Sequence, residues 1–186
     1  MAITYEIQQW LLTTLGSVEI VRPIMSSKWG WPICETLHFF GLSLLIGTVG
    51  MFDMRLLGVA KRIPISALHR LIPWGIGGYL LNIVTGSMFL VSAPDKYLYN
   101  SAFHLKMLFM AVAGLNVLTF YSAMFRKVNV LGAGADAPRA AKWIGGASLF
   151  LWTGIIIFGR LLTFYRPFVC GPEGQTGLLA TCLRGQ

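Results

Sequence analysis

The sequence predicts an all-α protein, an integral membrane four-helix bundle preceded by an interfacial amphipathic helix at the N-terminus. Of the 186 residues, 55% are hydrophobic and 12% are charged, and the mean hydropathy is +0.66. These values lie outside the usual balance of soluble domains. Four apolar runs are each long enough to cross a hydrocarbon core about 30 Å thick. The basic residues are concentrated in two of the three loops between these runs.

The first 31 residues are predicted to lie outside the bundle. Residues 1–21 contain no basic start and no small-residue cleavage site, so we do not interpret them as a signal peptide. Apolar residues recur there at helical spacing: Ile3, Ile7, Leu11, Leu15 and Val18. Polar residues occupy the opposite face, which predicts a retained amphipathic helix on the membrane surface.

The bundle is predicted to cover residues 32–166. Its four spans are 33–54, 72–91, 105–125 and 143–164. Little chain remains for a large extramembrane domain, so any such domain would belong to a partner. Residues 167–186 are predicted to form a tail.

The loops predict the orientation of the chain. The first and third loops and their flanks carry eight basic residues: Arg55, Lys61, Arg62, Arg70, Arg126, Lys127, Arg139 and Lys142. In the second loop Lys96 is balanced by Asp95. The positive-inside rule then places both basic loops in the cytoplasm and both termini outside. The net charge of +8 is explained by this topology, and no nucleic-acid-binding fold is indicated.

Three cysteines, Cys34, Cys170 and Cys182, fall at or beyond the outer face in this topology. A disulfide between Cys170 and Cys182 is the preferred pairing, with a pairing to Cys34 or three reduced thiols as alternatives. The chain has no C-x-x-C and no C-x-x-C-H motif, so neither a zinc knuckle nor a covalently attached haem is indicated.

Two of the three histidines are predicted to share one depth in the membrane. His38 lies in the first span and His104 in the third, which runs in the same direction, and both are near the outer end. Ionisable groups at such depth are costly and indicate function by default. The matched depth predicts one b-type haem held by His38 and His104 between facing helices.

Other residues near that level fit a haem. Arg160 and Lys106 are candidates to pair with its two propionates. Gly41 and Gly86 leave room for a flat macrocycle. Glu35 is three residues before His38 and so shares its helix face. It is expected either to accept a hydrogen bond from the imidazole, to pair with one of the two cations, or to be an ordinary first-turn acid.

Several alternatives remain open. Histidines near helix ends often form hydrogen bonds without any cofactor, and His69 is interpreted as interfacial. His104 with Met107 and Met110 on one helix is also compatible with copper handling, although methionine in an apolar helix is usually a core residue.

The remaining deep polar residues have structural interpretations. Asn82, Thr85 and Asn116 are expected to form interhelical hydrogen bonds, with a quinone contact as the alternative. Asp53 and Arg55 are expected to form an ion pair or to contact lipid headgroups. The sequence contains no hydrolase triad, no carboxylate pair and no phosphate-binding loop.

The four spans, the basic cytoplasmic side and the two matched histidines resemble small b-type cytochrome membrane subunits of the cytochrome b561 and dehydrogenase-anchor kind. The resemblance is architectural and rests on His38 and His104. The layout is also similar to that of copper-resistance membrane proteins. With three histidines in the chain, a second bis-histidine haem is excluded.

The resemblance implies a multi-pass protein of the bacterial inner membrane with both termini in the periplasm. It implies one haem b that relays electrons between a periplasmic dehydrogenase or cytochrome and quinone, as a non-catalytic subunit of a membrane oxidoreductase. A homo-oligomer is compatible with it. The contrasting hypothesis is a cofactor-free structural or anchor subunit of a larger membrane complex.

Overall fold

The computed structural model describes residues 6, 7, 10 and 17–164, and contains no β-strand among them. The described elements are α1 (Ser17–Ser26), α2 (Gly30–Leu57), α3 (Ile65–His69), α4 (Ile72–Ser92), α5 (Pro94–Leu98), α6 (Ser101–Thr119), a π-helical turn (Phe120–Met124), α7 (Phe125–Asn129) and α8 (Arg139–Leu161). Four helical stretches are long and apolar enough to cross a membrane: Gly30–Leu57, Ile65–Ser92, Ser101–Asn129 and Arg139–Leu161. The predicted all-helical class and the four candidate spans are confirmed.

The surface of these four stretches is apolar. Phe40, Leu80, Leu115 and Phe150, one from each stretch, are between 55% and 68% exposed. A water-soluble protein would bury most side chains of this size. An apolar surface on every spanning helix is typical of a bundle that faces lipid.

Most of the predicted N-terminal amphipathic helix lies outside the described residues. Ile7 and Trp10 are helical and exposed, and α1, which follows them, packs against α4. The predicted tail and the Cys170–Cys182 bridge also lie outside the described part of the chain. Cys34 is a free, buried thiol whose Sγ lies 3.7 Å from the carbonyl oxygen of Thr85.

The most extensive packing joins α2 to α4 and α6 to α8, and contacts between α2 and α8 close the bundle. Two glycines allow α2 and α4 to approach closely. A Cβ atom added to Gly78 would lie 2.5 Å from the carbonyl oxygen of Gly41, and one added to Gly41 would lie 2.8 Å from that of Gly78. The sequence predicts that Gly41 lines the cofactor site. In the structure it allows α2 and α4 to cross closely.

Both basic loops lie at one end of the bundle, which we call the basic end. The backbone N–H of Gly134 donates to the carbonyl of Lys61 at 2.8 Å. Asp136 pairs with Lys61 at 3.1 Å and with Lys142 at 3.0 Å. These ion pairs hold the pKa of the Asp136 carboxyl below its usual value. The contact between the loops agrees with a topology that puts both on one side of a membrane.

Arg55 joins the two loops from inside. Its side chain is 1% exposed. Its Nε donates to the carbonyl of Ile63 at 2.7 Å, and its Nη2 donates to those of Ala135 at 3.1 Å and Gly132 at 3.5 Å. The predicted ion pair with Asp53 and the predicted headgroup contact are wrong, because this guanidinium is buried against backbone carbonyls of both loops.

Candidate functional site

A cavity of about 480 Å³ lies at the end of the bundle where α2 begins and α8 ends, opposite the basic end. We call it the His38 cavity. Its volume is within the range of small-molecule and cofactor sites, about 300 to 1,000 Å³. Most of its lining is aliphatic or aromatic. The polar side chains that argue for a ligand are Glu35, His38, Asn82, Lys106 and Arg160.

The orientation of His38 is fixed by a hydrogen bond between helices. Nδ1 of His38 lies 2.7 Å from Oγ1 of Thr85, a residue of α4 that is 2% exposed. When the Thr85 hydroxyl donates its single hydrogen to the carbonyl of Leu81, which is 2.8 Å away, it accepts from an N–H at Nδ1 of His38. Nε2 of His38 is therefore the ring nitrogen with a free lone pair, available to a metal or a hydrogen-bond donor.

This bond confirms the expected interhelical role of Thr85. Of the roles expected of Glu35, the hydrogen bond with the imidazole is not formed, because the partner of His38 is Thr85. Glu35 is exposed and lines the cavity. Among the described residues, ion pairs within 4 Å involve only Asp136 and its two lysines, so the predicted pairing of Glu35 with a cation is not formed.

Two cations line the same cavity. A Cβ atom on Gly159 would lie 3.8 Å from Nζ of Lys106, so the missing side chain of this glycine leaves room for the ammonium group. The guanidinium of Arg160 lies 5.4 Å from the centroid of the Phe164 ring. Neither has a carboxylate within 4 Å in the described part of the chain. The cavity lining thus contains two cationic side chains and one carboxylate, that of Glu35. The excess of positive charge makes the cavity suitable for an anionic group.

The wall of the cavity beside His38 is formed at one point by Gly86. A Cβ atom there would lie 3.8 Å from Cε1 of His38, so a side chain larger than methyl would extend over the imidazole. On the same wall Phe89 places its ring edge-on to His38, with 5.7 Å between centroids. Oδ1 of Asn82 is buried without a hydrogen-bond partner among the described residues and is a further acceptor at the cavity.

The structure does not bring His104 to this cavity. His104 is exposed, and its ring neighbour is Phe103, with 6.2 Å between centroids. Lys106 is two residues further on and lines the cavity. Two residues correspond to about 200° around a helix, so His104 points away when Lys106 points in. The two predicted axial ligands therefore do not face one cavity.

The three residues predicted for copper handling do not face one cavity either. Met107 and Met110 line the His38 cavity, whereas His104 lies outside it. Within the described residues no group of three or more His, Cys, Asp or Glu side chains could hold a metal ion. His69 lies at the basic end, where its Nε2 is 3.2 Å from the hydroxyl of Tyr121.

The chain matches no protein-family model, and no curated protein and no solved structure is significantly similar to it. The site must therefore be interpreted from its own geometry.

Proposed function

We propose that this chain is a membrane electron-transfer subunit that binds one b-type haem in the His38 cavity, where Nε2 of His38 would hold it. The observation that carries the proposal is the hydrogen bond between Nδ1 of His38 and Oγ1 of Thr85. Histidines that bind metals almost always donate their other ring N–H to a fixed acceptor, which sets the tautomer and raises the basicity of the ligating nitrogen.

The other residues of the cavity fit such a group in part. Lys106 and Arg160 would pair with its carboxylates, and Gly86 would leave space for a flat ring beside the imidazole. A second histidine ligand does not fit, because His104 lies outside the cavity. Met107 and Met110 line it, and a thioether is an established partner of histidine on haem iron.

Haem would supply a one-electron carrier. The residues of the chain would orient it, compensate its charge and keep water away. The cavity lies opposite the basic end, so the positive-inside rule would place it near the periplasmic face of a bacterial inner membrane, with both termini on that side. A periplasmic dehydrogenase or cytochrome would then be the redox partner on that side, and quinone the partner within the bilayer.

Variants of the two histidines test the assignment. His38→Ala should remove the haem absorbance of the purified protein, whereas the matched variant His104→Ala should retain it. Thr85→Val keeps the shape of the side chain and removes the acceptor for Nδ1, and loss of such a supporting bond lowers affinity by about 10- to 100-fold. Size-exclusion chromatography in detergent shows whether each variant is folded. Full haem occupancy in folded His38→Ala would refute ligation by His38.

The cofactor-free structural subunit is the second candidate, because the same hydrogen bond also joins α2 to α4. It predicts a colourless wild-type protein in which His38→Ala and Thr85→Val lower the thermal unfolding midpoint by similar amounts.

A further inference from the structure

A second cavity, of about 260 Å³, lies between the His38 cavity and the basic end. We call it the Asp53 cavity. Its lining is mostly apolar, with polar side chains at Asp53, Asn116, Ser148 and Trp152. Asp53 is 5% exposed and lies within a candidate membrane span. A deep carboxyl group in such a span indicates function by default.

Two polar atoms at this cavity have no hydrogen-bond partner among the described residues. One is Oδ2 of Asp53, an acceptor, and the other is Nε1 of Trp152, a donor. Ser148 of α8, whose side chain is 5% exposed, adds a hydroxyl group to the lining of the same cavity. Buried polar atoms are nearly always paired, and each exception requires an explanation.

No cation faces the carboxyl group. The cavity lining contains no Lys, Arg or His, and its titratable members are Asp53, Tyr79 from α4 and Tyr121 from the π-helical turn. The hydroxyl of Tyr121 lies 3.2 Å from Nε2 of His69, which does not line the cavity. Arg55 on the same helix has its guanidinium bonded to loop carbonyls. An ionised carboxylate would therefore be buried without compensation, which is costly.

We propose that the Asp53 cavity is a proton-binding site. The carboxylate of Asp53 takes up a proton from hydronium in the solvent at the basic end, which is left as water, and becomes a neutral carboxylic acid. Water in the cavity then accepts from Nε1 of Trp152 and bonds to Oδ2 of Asp53. The volume is sufficient, because one water molecule occupies about 30 Å³ and needs two to four polar partners.

The two cavities adjoin each other. Leu45, Tyr79, Met110 and Trp152 line both of them. His38 and Asp53 are both on α2, about 22 Å apart at 1.5 Å per residue, so a change of charge in the His38 cavity would act on the proton at Asp53 through the apolar interior between them. The proton site is inferred from the burial of Asp53 and from its unpaired Oδ2. Neither observation depends on the proposed haem.

Infrared spectroscopy of the full chain in lipid bilayers tests the site. At neutral pH the wild type should show the C=O stretch of a protonated carboxylic acid, and Asp53→Asn should lose an amplitude equal to one carboxyl group per chain. Ser148→Ala, which removes a hydroxyl group from the cavity lining, should shift that band without abolishing it. The matched control Asp136→Asn should leave it unchanged, because the Asp136 carboxylate is exposed and bound to two lysines.

A wild type without a protonated carboxyl band at neutral pH would overturn the proposal, whatever the variants do. A band that persists in folded Asp53→Asn, or one that disappears in Asp136→Asn, would assign the proton to another residue and would also overturn it.

Discussion

Replacing Gly78 by alanine should weaken the contact between α2 and α4. The added Cβ would lie 2.5 Å from the carbonyl oxygen of Gly41 and 2.9 Å from Cβ of Leu44. Neither atom can rotate away, so the helices must separate. Overpacking of this kind typically costs about 1 to 3 kcal/mol. Because the clash involves backbone, we expect a value in the upper half of that range.

Gly77→Ala is the matched control. Gly77 is the preceding residue of α4, is exposed, and has nothing within 4 Å of an added Cβ. Both variants gain the same helix propensity, so the difference between them isolates the contribution of packing. Thermal unfolding in one detergent should place the midpoint of Gly78→Ala several degrees below that of Gly77→Ala, at about 2 to 4 °C per kcal/mol. Equal midpoints would refute the close crossing.

The remaining predictions concern the basic end. Arg55→Met should destabilise the protein by about 3 to 5 kcal/mol, because it leaves carbonyls of both loops without their charged donor. Arg62→Met, at an exposed position, should change the unfolding midpoint little, and equal effects of the two variants would contradict the role of Arg55. The pKa of Asp136 is lowered by Lys142 and Lys61, so its ion pairs should stabilise the loops above the ordinary aspartate pKa and be lost as the pH falls through the lowered value. The unfolding midpoint of the wild type should exceed that of Asp136→Asn at pH 7 and converge with it below about pH 4, and a constant difference would contradict this linkage.

The sequence predicts the four spanning helices well, because hydropathy over some 20 residues is a property of the chain alone. It does not predict the direction in which each residue points around its helix, because all faces of a lipid-embedded helix are apolar. A soluble helix reveals its buried side by the contrast between an apolar face and a polar face. The spanning helices lack that contrast, so the sequence does not show that His104 lies on the outer side of α6.

The interactions of Arg55 and Gly41 depend on tertiary structure in a similar way. The proximity of Arg55 to Asp53 in sequence suggests an ion pair, but its acceptors are carbonyls of Ile63 and Ala135, the second of which lies 80 residues away. Gly41 is one of 21 glycines, and only its position opposite Gly78 distinguishes a helix crossing from a cofactor wall.

The sequence does not predict which residue is the hydrogen-bond partner of His38. The sequence marks Thr85 as a deep polar residue that should bond between helices. Glu35 is the local candidate for the imidazole, because residues three apart share a helix face. A bond to a neighbouring helix competes with that local contact, and only the packing of α2 against α4 decides between them.

The haem content of the purified wild-type protein tests the central claim most directly. Cells supplied with haem precursor would provide the protein, and a reduced-minus-oxidised visible spectrum and a pyridine haemochrome assay would be recorded in mild detergent. We predict a sharp alpha band and about one haem per chain. A flat spectrum from folded protein would contradict the account and leave the His38 cavity as a structural feature or as the site of a different anionic ligand.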